Sequence, residues 1–221
     1  MKAGTMTRPL LLIGNKNYSS WSLRPWLLMK QAGIDFDERV IPLYSDDSRQ
    51  EILRHSPSGK LPCLIDSDLK VWDSLAICET IAERLPHLWP SDAAARAHAR
   101  ALSAEMHAGF TALRTRLPMN IRANLAGKRI EIDAERDIAR IVEGWTECRG
   151  RHGDKGPFLF GAFGVADAMF APVCFRFHIY GVPLPDTAAQ YRDTLLALPA
   201  MKQWAADARG EPWSLPQFEV A

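Results

Sequence analysis

The sequence predicts two halves of different class: an α/β half built on a four-stranded mixed sheet, then an all-helical half. Three observations carry this. Short β-type runs occur only early in the chain, and the last two, Leu61–Ile65 and Leu69–Trp72, form a hairpin about a Ser67-Asp68 turn. The stretch Pro86–Asp92, PHLWPSD, then interrupts the pattern with two prolines. Beyond it the apolar residues keep to helical spacing.

Taken in order, residues 1–8 read as a disordered leader. Pro9–Gly14, PLLLIG, is apolar on both faces, as an interior strand requires. Asn15–Trp26, NKNYSSWSLRPW, opens an amphipathic stretch that ends at Gly33. Proline is tolerated in the first helical turn, where amides lack partners anyway. Ser22 as N-cap therefore makes Pro25 the third helical residue, with Ser19 and Ser20 on the loop just upstream. Phe36–Leu43 is a second strand, Ser45–His55 a weak helical pattern, and Leu75–Leu85 a short helix after the hairpin. The order β-α-β, partial helix, β-β-α gives a four-stranded mixed sheet.

The helical half opens with one long helix over Ala93–Leu117, striped by Leu102, Met106, Phe110, Leu113 and Leu117. Pro118–Lys128 connects it to a second long helix, Glu131–Cys148. Ala162–Tyr180 is apolar nearly all round and belongs at the centre of a bundle. Gly164 caps it, Asp167 reaches back to the cap amide, and Pro172 kinks it. Thr187–Leu198 and Ala200–Arg209 add two short helices, and Trp213 and Phe218 bring the tail back onto a surface. The boundaries are residues 9–86 for the α/β domain, 87–92 for the linker and 93–221 for the helical domain.

Composition narrows the function classes. The chain has 221 residues, 47% hydrophobic and 24% charged, with a formal net charge of +1. That balance, with no basic cluster or zinc spacing, argues against a nucleic-acid partner. Four scattered cysteines, Cys63, Cys78, Cys148 and Cys174, sit in apolar runs and read as buried free thiols of a reducing, cytoplasmic compartment. No apolar run approaches the ~18 residues of a membrane span. The glycine-rich Gly150–Gly161 lacks the lysine ending and preceding strand of a phosphate loop.

The chemistry concentrates in Ser56–Ser74, SPSGKLPCLIDSDLKVWDS. Pro62 must begin its strand, because proline has no ladder donor. A cis Leu61–Pro62 bond turns the Leu61 amide and carbonyl outward, where an extended peptide pairs with them. Asp73 and Ser74 open the next helix, whose free amides and dipole favour a carboxylate ligand. With the cis-proline site in place, the first half has a thioredoxin-like layout.

These residues resemble the cytosolic glutathione S-transferases: KLP before a strand, an acid–Ser pair opening the next helix, and an all-helical second half carrying G-V-A-D. The resemblance runs from Leu10 to about Trp204 and implies that the whole chain has glutathione transferase architecture. It implies that Leu61 pairs with the cysteinyl unit of glutathione beside a cis Pro62. Asp73 and Ser74 then hold the γ-glutamyl end, and Lys60 approaches the glycyl carboxylate. The run Ser19-Ser20-Trp21-Ser22-Leu23-Arg24 is similar to the S-S-C-S-W-R of the zeta class. Serine-type classes place an arginine five residues after the catalytic hydroxyl, which selects Ser19, with Ser20 as the alternative and Tyr18 a weaker one.

The resemblance further implies glutathione as co-substrate with no metal, a small, largely apolar electrophile as second substrate, and a homodimer. His107, Phe110 and Arg114 are the expected lining of the second pocket. Two departures stand out. Gly164 replaces the usual Ser/Thr cap of the central helix, and Trp21 replaces the zeta-class cysteine, which argues against zeta-type isomerase chemistry. A glutathione-dependent isomerase or dehalogenase, and a non-enzymatic binding or regulatory module, are the competing readings. A thiol–disulfide oxidoreductase is disfavoured, because no cysteine stands at the start of the first helix.

Overall fold

The computed structural model describes residues 8–219. The leader expected over residues 1–8 lies outside them except for Arg8, which forms an ion pair with Asp35. Strands β1 (Leu10–Ile13), β2 (Asp37–Val40), β3 (Cys63–Asp66) and β4 (Leu69–Val71) form one sheet in the order β2-β1-β3-β4. The β1–β2 pair is parallel, and the β1–β3 and β3–β4 pairs are antiparallel. Side chains alternate across a strand, and that alternation divides the apolar residues between two cores. Leu11, Ile13 and Leu64 face the main core, while Leu12 and Cys63 join Ile41 and Ile52 on the other face.

Helices α1 (Ser20–Gln31) and α3 (Ser74–Arg84) cover the main-core face, and α2 (Ser48–His55) supplies Ile52 to the opposite one. The second half consists of α4 (Ala93–Ala108), α5 (Thr111–Arg116), α6 (Ile132–His152), α7 (Val165–Ile179), α8 (Asp186–Ala197) and α9 (Pro199–Gly210). As its all-round apolar sequence requires, α7 is central: every residue but His178 is buried. It packs against α1, α4 and α8. Trp145 of α6 meets Phe170 and Phe177 of α7 and Tyr191 of α8, with ring centroids 4.8–5.7 Å apart. All four cysteines are buried free thiols.

Two expected elements are corrected. Ser22 does not cap α1: Ser19 holds the cap position, which puts Pro25 in the second turn. The reason is tertiary, since the Ser22 hydroxyl is turned inward and accepts the Gly14 amide at 3.0 Å. The helix expected over Ala93–Leu117 is two helices. Phe110 is left-handed, at φ 57°, and a Cβ on Gly109 would stand 2.8 Å from the Glu105 carbonyl. Asp137 then receives the Leu113 amide at 2.9 Å, supplying the start of α5 from α6. The stripe Leu102, Met106, Phe110, Leu113, Leu117 is nevertheless buried throughout.

Candidate active site

The strand registers bring three loops to one end of the sheet. Leu12 lies opposite Cys63, and Leu64 opposite Val71. The C-terminal end of β1, the N-terminal end of β3 and the C-terminal end of β4 therefore coincide. The segments joined there are residues 14–19, residues 61–62 and residues 72–74.

Each segment offers unused polar groups. The Leu61–Pro62 peptide is cis. Among the described residues no hydrogen bond reaches the Leu61 amide or carbonyl. Lys60 is exposed, and its amide donates to Ser58 Oγ at 3.2 Å. Asp73 caps α3, with Oδ1 accepting the Leu75 and Ala76 amides at 3.0 and 3.3 Å. Ser74 is fully buried, and its Oγ has no partner. An orphaned buried hydroxyl carries a desolvation penalty of about 1–3 kcal/mol, which a ligand acceptor relieves.

At the first segment Ser19 Oγ donates to Ser22 Oγ at 2.7 Å, and Ser20 Oγ accepts from Arg176 Nη2 at 3.3 Å. The loop before them is held from the helical half. Glu211 accepts the Lys16 and Asn17 amides at 2.6 and 3.0 Å. The Tyr18 hydroxyl donates to Glu219 and accepts from Arg122 at 2.8 Å. The Tyr18 hydroxyl is thus committed to Arg122 and to the C-terminal tail, whose Leu215 amide also donates to it at 3.2 Å.

The expected second-pocket residues separate. His107 Nε2 lies 3.0 Å from Asp73 Oδ2, and its ring meets Trp21 edge-on at 5.4 Å. The Arg114 guanidinium stands 5.4 Å from the same ring, and that of Arg24 at 4.3 Å. His107 and Arg114 therefore belong with Asp73 in one corner built around Trp21. Phe110 stands apart from them: it is 9% exposed and packs in the main core. It belongs to the apolar stripe that faces the core, as its helical spacing with Leu102, Met106, Leu113 and Leu117 expects. Two cavities, of about 440 and 330 Å³, lie elsewhere, around Pro86–Ser91, and contain none of these residues.

The corner is strongly cationic. Burial, with help from Arg176 and Arg114, pushes the Arg24 guanidinium down to about 9, and Asp73 partly offsets this. Burial and Arg114 push Arg176 down to about 10. Both groups stay charged at neutral pH. Arg24 Nε and Nη1 and Arg176 Nη1 are buried without hydrogen-bond partners. Buried cations lacking counter-charge are destabilising, so the arrangement suits an anionic ligand. Sequence reasoning missed Arg176, although a signal existed: it is a charged side chain in a largely apolar helix whose other polar residues are Asp167, in its first turn, and His178, in its last.

Comparisons with known proteins agree with this architecture. A family model described as Glutathione S-transferase, N-terminal domain, matches residues 18–84. One described as Glutathione S-transferase, C-terminal domain, matches residues 93–207. A probable maleylacetoacetate isomerase of Caenorhabditis elegans is 26% identical over 202 residues, 87% of this chain and 91% of that protein. A stringent starvation protein A homolog of Coxiella burnetii is 28% identical over 166 residues, 74% of each. Among solved structures, a Burkholderia glutathione transferase homolog with bound glutathione superposes with a TM-score of 0.69 at 22% identity, covering 92% of this chain and 99% of that one.

Proposed function

Because the chain belongs to the glutathione S-transferase family, we propose that it binds glutathione along the cis-proline edge and activates its thiol for attack on a small, largely apolar electrophile. The observation that carries this reading is the convergence, at one sheet end, of the α1 serines, the unpaired Leu61 backbone and the Asp73-Ser74 pair. In this reading Leu61 pairs as one strand with another against the cysteinyl unit. Asp73 and Ser74 hold the γ-glutamyl end, Lys60 meets the glycyl carboxylate, and a serine hydroxyl at the start of α1 faces the sulfur.

The magnitudes suffice. A free thiol ionises near pH ~8.5, so only a few per cent is nucleophilic thiolate at neutrality. One hydroxyl donating to that anion contributes roughly 1.5–3 kcal/mol, equivalent to about one to two pH units. The α1 dipole adds about 0.3–1 kcal/mol. The serine donates throughout and never acts as a base. Among the described residues no cluster of His, Cys, Asp or Glu is suited to a metal, and no helix is long and apolar enough to cross a membrane.

The name of the Caenorhabditis relative raises isomerase chemistry as the competing reading. Against it stands Trp21, whose ring is held among Arg24, Arg114 and His107 where the zeta class has a cysteine. The same reading takes the protein as a cytoplasmic homodimer divided into 9–86 and 93–221 by the linker 87–92.

Retention on immobilised glutathione, followed by turnover with a chloronitrobenzene-type acceptor, tests the proposal. Replacing Ser19 and Ser20 together by alanine should lower turnover at least ~10-fold, the effect of a lost charge-assisted bond, while glutathione affinity stays nearly intact. Unchanged turnover, or no retention of the wild type, would sink it.

A further inference from the structure

The two serines at the mouth of α1 differ in what they do with their protons. A hydroxyl has one proton to give and two lone pairs with which to accept. Ser19 Oγ donates to Ser22 Oγ at 2.7 Å, and Ser22 Oγ also accepts the Gly14 amide at 3.0 Å. The Ser19 proton is thereby directed into the fold. Ser20 Oγ accepts from Arg176 Nη2 at 3.3 Å, and among the described residues nothing accepts its proton.

Arg176 is built to stay where it is. It is 4% exposed on the central helix, and its Nε donates to the Leu117 carbonyl at 2.8 Å. Its Nη1 is buried without a partner, and none of the ion pairs among the described residues includes it. A cation donating to a hydroxyl polarises that hydroxyl and strengthens the bond it gives onward. The same cation, without counter-charge in a buried site, is stabilised by any anion that forms beside it.

We infer that Ser20, polarised by Arg176, rather than Ser19, gives the hydrogen bond that holds the glutathione sulfur as thiolate, and that this thiolate is the counter-anion Arg176 lacks. The inference rests on glutathione being bound as proposed above. On ionisation the S–H bond breaks, its electron pair stays on sulfur and its proton passes to water. Ser20 keeps its own proton and donates it in a hydrogen bond. Ser20 touches the reacting atom, whereas Arg176 acts through Ser20 and is a positioning residue.

The experiment is an ultraviolet titration of the thiolate in the glutathione complex of the wild type and of Ser19→Ala, Ser20→Ala, Arg176→Met and Arg176→Lys. Ser20→Ala should raise the thiolate midpoint by about one to two pH units, as loss of a charge-assisted bond requires, and by more than Ser19→Ala does. Arg176→Met should raise it too, with Arg176→Lys restoring part of the difference. S-methylglutathione carries no charge on sulfur and should bind the Ser20 and Arg176 variants nearly as tightly as the wild type, which separates a thiolate effect from misfolding. If Arg176→Met does not fold, the two serine variants decide alone. A midpoint that moves with Ser19→Ala and not with Ser20→Ala overturns the inference while leaving the proposed function standing. A wild type that shows no thiolate absorbance with glutathione overturns both.

Discussion

Asp73 divides its two oxygens between fold and site. Oδ1 caps α3 through two amides, and Oδ2 meets His107. The two roles separate by substitution. Asp73→Asn keeps a capping oxygen and loses the charge that the proposed γ-glutamyl ammonium group needs. Asp73→Ala loses both. The alanine variant should be less stable by about 1 kcal/mol, the usual worth of a cap, read as a lower thermal midpoint. Both variants should bind glutathione at least ~10-fold more weakly, since a bond to a charged group contributes roughly 1.5–3 kcal/mol. Calorimetric titration checks the second expectation, and an asparagine variant that binds like the wild type refutes it. Asp73, Ser74 and Leu61 were legible in the sequence because a helix start and a strand-opening proline are local signals. Arg176 left a local signal as a charge in a largely apolar helix, but its pairing was not legible, because its partner Ser20 is 156 positions away.

At the scale of elements, α7 shows why a family pattern departs here. Gly164 stands where a Ser or Thr cap is usual, and a Cβ there would lie 2.5 Å from the Leu88 carbonyl. The close approach of the linker excludes the side chain, so only half of the capping box is made: the Gly164 amide donates to Asp167 Oδ2 at 2.9 Å. Asp167 Oδ1 also accepts from the Leu159 amide at 3.1 Å and from the Tyr191 hydroxyl at 3.0 Å. Burial outweighs these donors and pushes the Asp167 carboxyl up to about 6 from 3.8. Between those values the folded chain binds a proton that the unfolded chain has released, so this contribution to stability falls as pH rises. It is fully present below the unfolded value and lost through about pH 6, at most roughly 3 kcal/mol in all. Thermal melts of wild type and Asp167→Asn from pH 4 to 7 should show the wild type losing ground relative to the variant across that window. Parallel profiles would refute the assignment. Helical stripes were legible at this scale, and breaks and caps were not. Phe110 turns left-handed inside a pattern that reads as continuous, and the Gly14 amide, remote from any cap motif, decides that Ser22 faces inward.

At the scale of the whole molecule, the serine loop is an element of the first half held by the second. Glu211 takes the Lys16 and Asn17 amides, and Arg122 Nη1 reaches the Glu211 carbonyl at 3.0 Å. Asn17 Nδ2 donates to Asn120 Oδ1 at 2.8 Å, and the Trp204 indole donates to the Lys16 carbonyl at 2.9 Å. Phe218 of the tail lies 5.8 Å from the Tyr18 ring and 5.9 Å from that of Tyr44. The tail's return was legible from Phe218, whereas Trp213, expected to return with it, is exposed and Leu215 is buried in its place. The target of that return was not legible, since nothing local in Asn15–Tyr18 announces that its amides need a carboxylate from residue 211. That dependence has a measurable consequence. Glu211→Ala leaves two amides without their acceptor, each such bond to a charged group being worth roughly 1.5–3 kcal/mol. Local opening of the loop should rise accordingly, because segments with few remaining anchors exchange through small fluctuations. Hydrogen exchange should therefore accelerate at residues 16–19 while α6 and α8 keep their protection. Turnover should fall with it, because a loosened loop no longer fixes the serine hydroxyls against the sulfur. If exchange in the loop accelerates and turnover holds, the tail braces the fold without setting the chemistry; if neither moves, the carboxylate is dispensable to both.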